Sequence, residues 1–507
     1  MLQERHGRPN AEASHSLGKY DVAEAAAYSQ DPAASQTLKR WEQLAPYAAE
    51  FVGTALLTFT YVCMGLDQNV TWGKTAVGLA VVVLMYTFGH VSGGHFNPSV
   101  SLALWLSGRV RTGVLCGVIS AQVLGATSAV WLRFCFRDTP PNFVPQSGSL
   151  PWAASLIEIF FTMMLCFVYL SVAVSRRNNP ATDPSSVVGL AIGCCVMAGG
   201  YSSQAISDSM LNPAIAVGMQ LLQVTRGADM VGWGFGFLFC EVVGTALAVT
   251  FYRLVYAEDS EHMDWLDGET PKALKISQKL SAEFLGTFFV VFTKGLCHLG
   301  GSPAEAWAVA AAYGAMVYSV RHISGAHLNP AVTLAVKASG RGLIDLKDTI
   351  SYWAAQFLGG CFAAAMFTLM HDIETFGVER EAGAPFYKIG LVEVSFTFAL
   401  CYIMLATNTV KPVDTVSRQN DAAGIAMGGC ILVGDSGVGH ISGGIMNPAM
   451  AFAITASHAF TGGQLRSVLV YCGFEAVGAL LAAAVFFVTH IHVYTGRTPT
   501  LGLKIKA

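Results

Sequence analysis

Four Asn-Pro pairs, each followed by an apolar stretch too short to cross a bilayer, constrain this chain more than any other feature. They fall at Asn97-Pro98, Asn212-Pro213, Asn329-Pro330 and Asn447-Pro448. The first and third are 232 residues apart and the second and fourth 235, while the spacings within each half are 115 and 118. Asparagine is a favoured N-cap, and proline suits the first helical position because its missing N–H would be unpaired there anyway. The run after Pro98 stops at Gly108, about half of the ~20 residues that a span needs. The stretches Gly93-Gly94-His95, Ser324-Gly325-Ala326-His327 and Ser442-Gly443-Gly444 precede three of the pairs and read as extended backbone. At membrane depth such backbone is tolerated only where it faces protein or a water-filled cavity. The pattern therefore implies a pore.

The rest of the chain supplies the membrane context. Of its 507 residues 53% are hydrophobic and 12% charged, about half the charge of a soluble domain. Twelve spans are expected at 44–66, 72–91, 113–135, 152–175, 186–204, 229–256, 277–298, 304–323, 347–370, 386–407, 421–437 and 465–490. Interior glycines such as Gly125, Gly244, Gly359 and Gly478 would let helices approach closely. Residues 1–43 read as a flexible soluble tail with a short helix near Val22 to Tyr28, and residues 257–276 as a cytoplasmic linker. Residues 493–507 form a C-terminal tail, leaving units at 44–256 and 277–492. Arg109, Arg111, Arg176, Arg177, Lys272, Lys275, Lys279, Lys337, Arg341, Lys411 and Arg418 fall on one side if both termini are cytoplasmic. Which membrane is involved stays open.

Other function classes find no support. A net charge of -3 without a basic cluster argues against a nucleic-acid partner. The 12 cysteines are dispersed, without a CxxC pair, and read as small buried hydrophobes. No phosphate-binding glycine loop, nucleophilic triad or metal-ligand spacing is visible, so neither an enzyme nor a cofactor is expected.

The periodicity extends beyond the Asn-Pro pairs. Glu50, Glu158, Glu283 and Glu393 recur with matching offsets, one near the start of each quarter. Gln122, Glu241, Gln356 and Glu475 form another series, each with a glycine three residues later. The chain is thus a duplication of a duplication. Three spans per quarter require successive quarters to be inverted, an arrangement in which broken helices meet near the midplane.

These features resemble the aquaporin, or major intrinsic protein, family. The stretches that carry the resemblance are HVSGGHFNPSVSLA from His90, MLNPAIAV from Met210, HISGAHLNPAVTLA from His322 and HISGGIMNPAMAFA from His440, with AEFVGT at Ala49 and AEFLGT at Ala282. The resemblance covers about residues 44 to 492 and implies an all-α membrane fold of two tandem units. Each would have six transmembrane helices and two re-entrant half-helices in an inverted repeat. Carried over residue by residue, the pore motifs are Asn97-Pro98-Ser99 and Asn212-Pro213-Ala214 in unit one. In unit two they are Asn329-Pro330-Ala331 and Asn447-Pro448-Ala449. The asparagine amides would donate to water or solute in the lumen, the half-helix dipoles would disfavour cations, and Ser99 stands where alanine is usual. Glu50, Glu158, Glu283 and Glu393 would satisfy the re-entrant backbone.

The family's outer constriction normally includes an arginine directly after the second Asn-Pro-Ala. Here the four aligned positions are Val77, Gly200, Ser209 and Ile215 in unit one, and Val309, Asp435, Gly444 and Met450 in unit two. Losing the arginine removes a fixed charge and several donors. Asp435 would be hydrated or paired with Arg321 or His440, as a packing pair or as a selectivity residue. Asp208 would cap its turn or face the vestibule, the cap being favoured. Ala216 and Ala451 stand where the glycerol-facilitating branch has aspartate, which weakens a glycerol assignment.

The resulting expectation is passive transport of water or small uncharged solutes through atypical filters. The alternative is a closed or weakly conducting membrane scaffold, or a subunit of a larger membrane assembly. Family members form tetramers of independent pores, so two copies of this chain would make a homodimer that mimics one.

Overall fold

The computed structural model describes residues 32–65, 72–136, 145, 149–180, 184–208, 210–225, 227, 232–260, 273–378, 385–410 and 421–495. In unit one the helices are α1 (Pro32–Thr60), α2 (Gly73–Ser92), α3 (Pro98–Leu106), α4 (Thr112–Phe136), α5 (Pro151–Tyr169), α6 (Val188–Ser203), α7 (Pro213–Thr225) and α8 (Gly232–Val255). Unit two repeats them as α9 (Ile276–Leu299), α10 (Glu305–Ser324), α11 (Pro330–Ala338), α12 (Leu346–Met370), α13 (Phe386–Asn408), α14 (Ala423–Ser442), α15 (Pro448–Phe460) and α16 (Arg466–Thr489). Among the described residues, ten helices are long and apolar enough to cross a membrane. The shorter α6 and the 20-residue α10 occupy the places of the other two expected spans.

Two segments differ from the sequence expectation. α1 begins at Pro32, so residues 32–43 are helical and not a flexible tail. Pro32 sits at the helix start, and the alanine, leucine, lysine and glutamine that follow are strong helix formers. The linker likewise begins with a helical turn, Ala257–Ser260. Glu258 holds it, accepting from Arg177 Nε at 2.8 Å and Gln278 Nε2 at 2.7 Å. The expected helix near Val22 to Tyr28, the other linker residues 261–272, Lys411, Arg418 and the tail from 496 onward lie outside the described residues.

Each quarter folds by the same rule. Its first and third spans pack most extensively: α1 on α4, α5 on α8, α9 on α12 and α13 on α16. A glycine on the third span makes this approach possible. An ideal Cβ on Gly125 would lie 2.3 Å from Phe51 O, on Gly244 2.5 Å from Ile159 O, on Gly359 2.4 Å from Phe284 O, and on Gly478 2.7 Å from Val394 O. In each case the carbonyl belongs to the residue directly after the recurring glutamate. Helix contact in a bilayer gains little from the hydrophobic effect and rests on such close backbone packing.

The two units are joined by more than the linker. Helices α5, α6 and α8 of the first pack against α9, α10 and α12 of the second. Phe160 meets Phe288 and Phe292 at centroid distances of 5.3 and 5.4 Å, and Phe161 stacks on Phe292 at 5.6 Å. At the linker end of this seam, Tyr256 Oη and Asn178 Nδ2 both donate to the carbonyl of Ser319.

Gly359→Ala is expected to lower the melting temperature in detergent, because its methyl group meets a backbone carbonyl that cannot move aside. Overpacking of this kind costs about 1–3 kcal/mol. Gly429→Ala is the control: its ideal Cβ meets nothing within 4 Å, and its melting temperature should stay near that of the parent protein.

Candidate functional site

The half-helices α3, α7, α11 and α15 all begin at the proline of an Asn-Pro pair, and in each the asparagine Oδ1 accepts the backbone N–H two residues on. The donors are Ser99 N at 2.8 Å, Ala214 N at 3.0 Å, Ala331 N at 2.8 Å and Ala449 N at 3.0 Å. This turns each Nδ2 across the unit toward the opposing half-helix. Asn97 donates to Leu211 O at 2.6 Å and Asn212 to Phe96 O at 2.8 Å. In unit two Asn329 donates to Met446 O at 2.7 Å and Asn447 to Leu328 O at 3.0 Å. The half-helices of a unit therefore meet N-terminus to N-terminus through a reciprocal pair of hydrogen bonds. A side-chain amide has two N–H groups, and the tie uses one of them.

The accepting residue is unusual at all four places. Phe96, Leu211, Leu328 and Met446 have φ of 47°, 50°, 53° and 50°, in the left-handed region that non-glycine residues rarely adopt. Their N–H groups point back at the recurring glutamates. Glu50 accepts from Phe96 N at 2.7 Å and His95 N at 2.9 Å, and Glu158 from Leu211 N at 3.3 Å and Met210 N at 3.2 Å. Glu283 accepts from Leu328 N at 2.6 Å and His327 N at 3.0 Å, and Glu393 from Met446 N at 2.8 Å and Ile445 N at 3.3 Å. All four glutamates are fully buried. A carboxylate at this depth is tolerable when hydrogen bonds surround it, and the turn needs acceptors that hydrocarbon cannot provide.

The second recurring series completes two quarters and leaves two incomplete. Gln122 Nε2 donates to Glu50 at 2.8 Å and to Ser101 Oγ at 3.0 Å, and Gln356 Nε2 to Glu283 at 2.8 Å and Thr333 Oγ1 at 2.9 Å. Glu241 and Glu475 occupy the matching places beside Glu158 and Glu393. Both are fully buried, and their carboxyl oxygens have no hydrogen-bond partner among the described residues.

The expected constriction residues distribute unequally. In unit two Val309, Gly444 and Met450 line one cavity together with Asn329 and Asn447. Its volume is about 10 Å³, room for roughly one water molecule. Asp435 lies behind Gly444, whose ideal Cβ would fall 2.5 Å from Asp435 Oδ1. In unit one Val77 and Ile215 are buried, and the side chain of Lys74 lies over Gly200. Ser209 lies outside the described residues.

The partners of the acidic residues correct the sequence reading. Asp435 is paired with Lys294 Nζ at 2.8 Å, not with Arg321 or His440. Arg321 turns to Asp421 at 3.8 Å and to His322 Nε2 at 3.0 Å. Asp208 lies in the left-handed region at φ 50°, and Lys74 Nζ takes up its carboxylate at 2.8 Å. Lys74 and Lys294 were missed from sequence, although a lone lysine inside an apolar span is a signal in itself. Toward the linker side, a vestibule of about 470 Å³ opens beneath the first re-entrant stretch of unit two, lined by Gly325, His327, Tyr352, Asn408, Arg321 and Lys279 among others.

The model of the major intrinsic protein family matches residues 37–252 and again 270–416. This chain belongs to the major intrinsic protein family. It is a multi-pass, channel-type membrane protein and not an enzyme. Over 219 residues it is 34% identical to aquaporin NIP1-1 of Zea mays, a match covering 41% of this chain and 73% of the maize protein. Aquaporin Z of Photorhabdus laumondii is 28% identical over 232 residues, covering 43% of this chain and 96% of that protein. The structure of the aquaglyceroporin from Plasmodium falciparum aligns at 19% identity and TM-score 0.36, over 44% of this chain and 99% of that one. The maize and Photorhabdus proteins each match less than half of this chain, in keeping with two family units in tandem. The second family match ends at 416, yet α14 to α16 and Asn447-Pro448 beyond it repeat the local geometry of the first unit.

Glu475→Gln is expected to stabilise the protein. The new amide would supply Glu393 with the donor that Gln356 gives Glu283, worth about 1.5–3 kcal/mol for a hydrogen bond to a charged group. Thermal unfolding in detergent measures this. Glu475→Ala should not show the gain.

Proposed function

We propose that each unit is a passive pore for water or small uncharged solutes, with an atypical selectivity filter that lacks the family arginine. The observation that carries this reading is the crossed asparagine tie. It leaves one amide N–H on each of Asn97, Asn212, Asn329 and Asn447 for a permeant, at the meeting point of two helix N-termini. Permeants there exchange water contacts for fixed donors, and cations meet the positive ends of both half-helices. The constriction of unit one is Val77, Gly200, Ser209 and Ile215, and that of unit two is Val309, Asp435, Gly444 and Met450. Both replace the arginine with an apolar side chain, which favours neutral over ionic cargo.

A second reading, a closed unit that serves as scaffold, is favoured in unit two by the lumen of about 10 Å³ beside Met450. Stopped-flow swelling of proteoliposomes in water, glycerol, urea and ammonia gradients separates the two. With Met450 replaced by Trp to block unit two, unit one alone should keep the vesicles permeable. With Ile215 replaced by Trp to block unit one, Met450→Ala should raise the remaining flux several-fold. Empty-vesicle rates for the parent protein and all variants would exclude transport.

The reading extends to assembly. Inside the chain, spans four to six of unit one cover spans one to three of unit two. The same faces remain uncovered on α1 and α2, where Phe51, Leu56 and Val83 are exposed, and on α13 and α14, where Leu391, Ile425 and Val433 are exposed. A second copy related by a twofold axis would repeat the internal seam twice and give four pores. Short basic segments support a cytoplasmic side for both termini under the positive-inside rule. Native mass measurement in mild detergent should give twice the chain mass. A stable monomer there would count against the dimer.

A further inference from the structure

Two carboxyls of the second recurring series, Glu241 on α8 and Glu475 on α16, have no part in the asparagine pore. Both are 0% exposed, and neither oxygen of either makes a hydrogen bond to a described residue. In the other two quarters the same place holds a glutamine, whose amide nitrogen donates to the recurring glutamate: Gln122 to Glu50 and Gln356 to Glu283, each at 2.8 Å. The amide oxygens of Gln122 and Gln356 are also without a partner. The donated N–H alone secures the side chain there. Glu475 stands against Glu393 in the same way, and Glu241 against Glu158.

The two members of a pair are not equivalent. Glu393 accepts from Ser442 Oγ at 2.6 Å, Met446 N at 2.8 Å and Ile445 N at 3.3 Å, surroundings that suit a carboxylate. Glu475 faces the backbone N–H of Asn447, outside hydrogen-bond geometry. In unit one Glu158 is likewise the acceptor of backbone N–H groups, and Glu241 faces that of Asn212. Two adjacent carboxylates in a desolvated site do not both stay ionised, and an anion without donors is expensive at membrane depth. A protonated carboxyl has one O–H to donate. Only in that form can a glutamate do what glutamine does at this place.

We propose that Glu241 and Glu475 are proton-binding sites, each holding one proton as the neutral acid and donating it to Glu158 or Glu393. The first half-helix of each unit is then secured through an amide, and the second through a shared proton. Loss of that proton sets two anions behind the turn that leads to Asn212 or Asn447. Around the pair of unit two, α13 brings Glu393 and Cys401, α16 its own Cys472, and α9 Lys294, which acts on Glu393. Asp435 of α14 pairs with Lys294, and His440 of α14 is exposed. Lys337 of α11 meets Ile344 O, and His458 of α15 meets Thr375 Oγ1. Around the pair of unit one stand Cys166, Cys240 and Tyr61. Thiols, phenols and ammonium groups ordinarily keep their protons at neutral pH, so a change there belongs to the carboxyl pair. The inference concerns how the half-helices are held and stands apart from what the pore carries.

The test uses the full chain in an ester-free detergent. The infrared spectrum of the parent protein at neutral pH should contain the C=O band of protonated carboxylic acid. Glu475→Gln and Glu241→Gln should each remove one acid's share of that band, and the double variant two. Either substitution restores the residue of the sister quarters, and either one alone carries the test. Thermal unfolding gives a second readout. A site protonated in the folded chain and ionised in the unfolded one loses stability as pH rises above the ordinary glutamate range, about 4.3. The unfolding constant then rises about tenfold per pH unit and site. The advantage in melting temperature of Glu475→Gln over the parent should therefore widen between about pH 5 and pH 8. If neither substitution removes acid band, or the advantage is the same at every pH, the proposal is overturned while the channel reading is untouched.

Discussion

The structure depends on one peptide unit, repeated four times. The residue ahead of each Asn-Pro asparagine is held in the left-handed region, with its N–H on a buried glutamate and its carbonyl on the asparagine of the opposing half-helix. Hydrocarbon offers no alternative partner to either group. The turn therefore exists only while the glutamate and the opposing asparagine are both in place. Each half-helix supplies the acceptor that orients the other, so neither is stable in this geometry alone. A strained conformation costs of order 1–3 kcal/mol, and it persists here because its surroundings determine it from both sides.

That mutual dependence explains the depth of the repetition. The glutamate lies on the first span of a quarter, its amide partner on the third, and the turn between the second span and the half-helix. A glycine on the third span brings the chain against the carbonyl next to the glutamate. Four elements must keep their register together, so the features recur at nearly constant offsets through both duplications. Glu241 and Glu475 break the chemical pattern without breaking the geometry. They keep the acceptor-bearing shape of a glutamine but bring a second carboxyl beside the first.

The fold and the centre of the site were legible for this reason. Periodic residues announce themselves in one sequence, and the twelve spans, the four half-helices and the four glutamates are all periodic. The mouths were not, because their chemistry is compensated across segments with different offsets. Lys294 replaces Tyr61, Asp435 replaces Gly200, and Lys74 has no basic counterpart at its own place in unit two. No position shows a pattern, and the pairs close only in space, across 134 residues for Lys74 with Asp208 and 141 for Lys294 with Asp435. The sequence reading offered hydration, Arg321 or His440 to Asp435. Yet α10 ends at the linker side, where Arg321 meets Asp421 and the vestibule. The start of α1 differs for another reason: residues 32–43 hold few large apolar residues, yet they carry strong helix formers.

Fusing two units frees the mouths to diverge. Identical subunits must carry the same residue at every pore, so a change that suits one alters all of them. In a tandem chain the seam between units is fixed by α5, α6 and α8 against α9, α10 and α12, while each mouth can vary independently. The carbonyl of Asp208 or Gly443 must be held in either unit, because the re-entrant stretch cannot leave it unpaired. Whether a phenol or an ammonium holds it is a local choice, and that choice decides which other charges the site must carry. An ammonium at that point needs carboxylates around it in a buried setting, whereas a phenol needs none. The two units thus differ in which group on the first span meets that carbonyl, Tyr61 in one and Lys294 in the other.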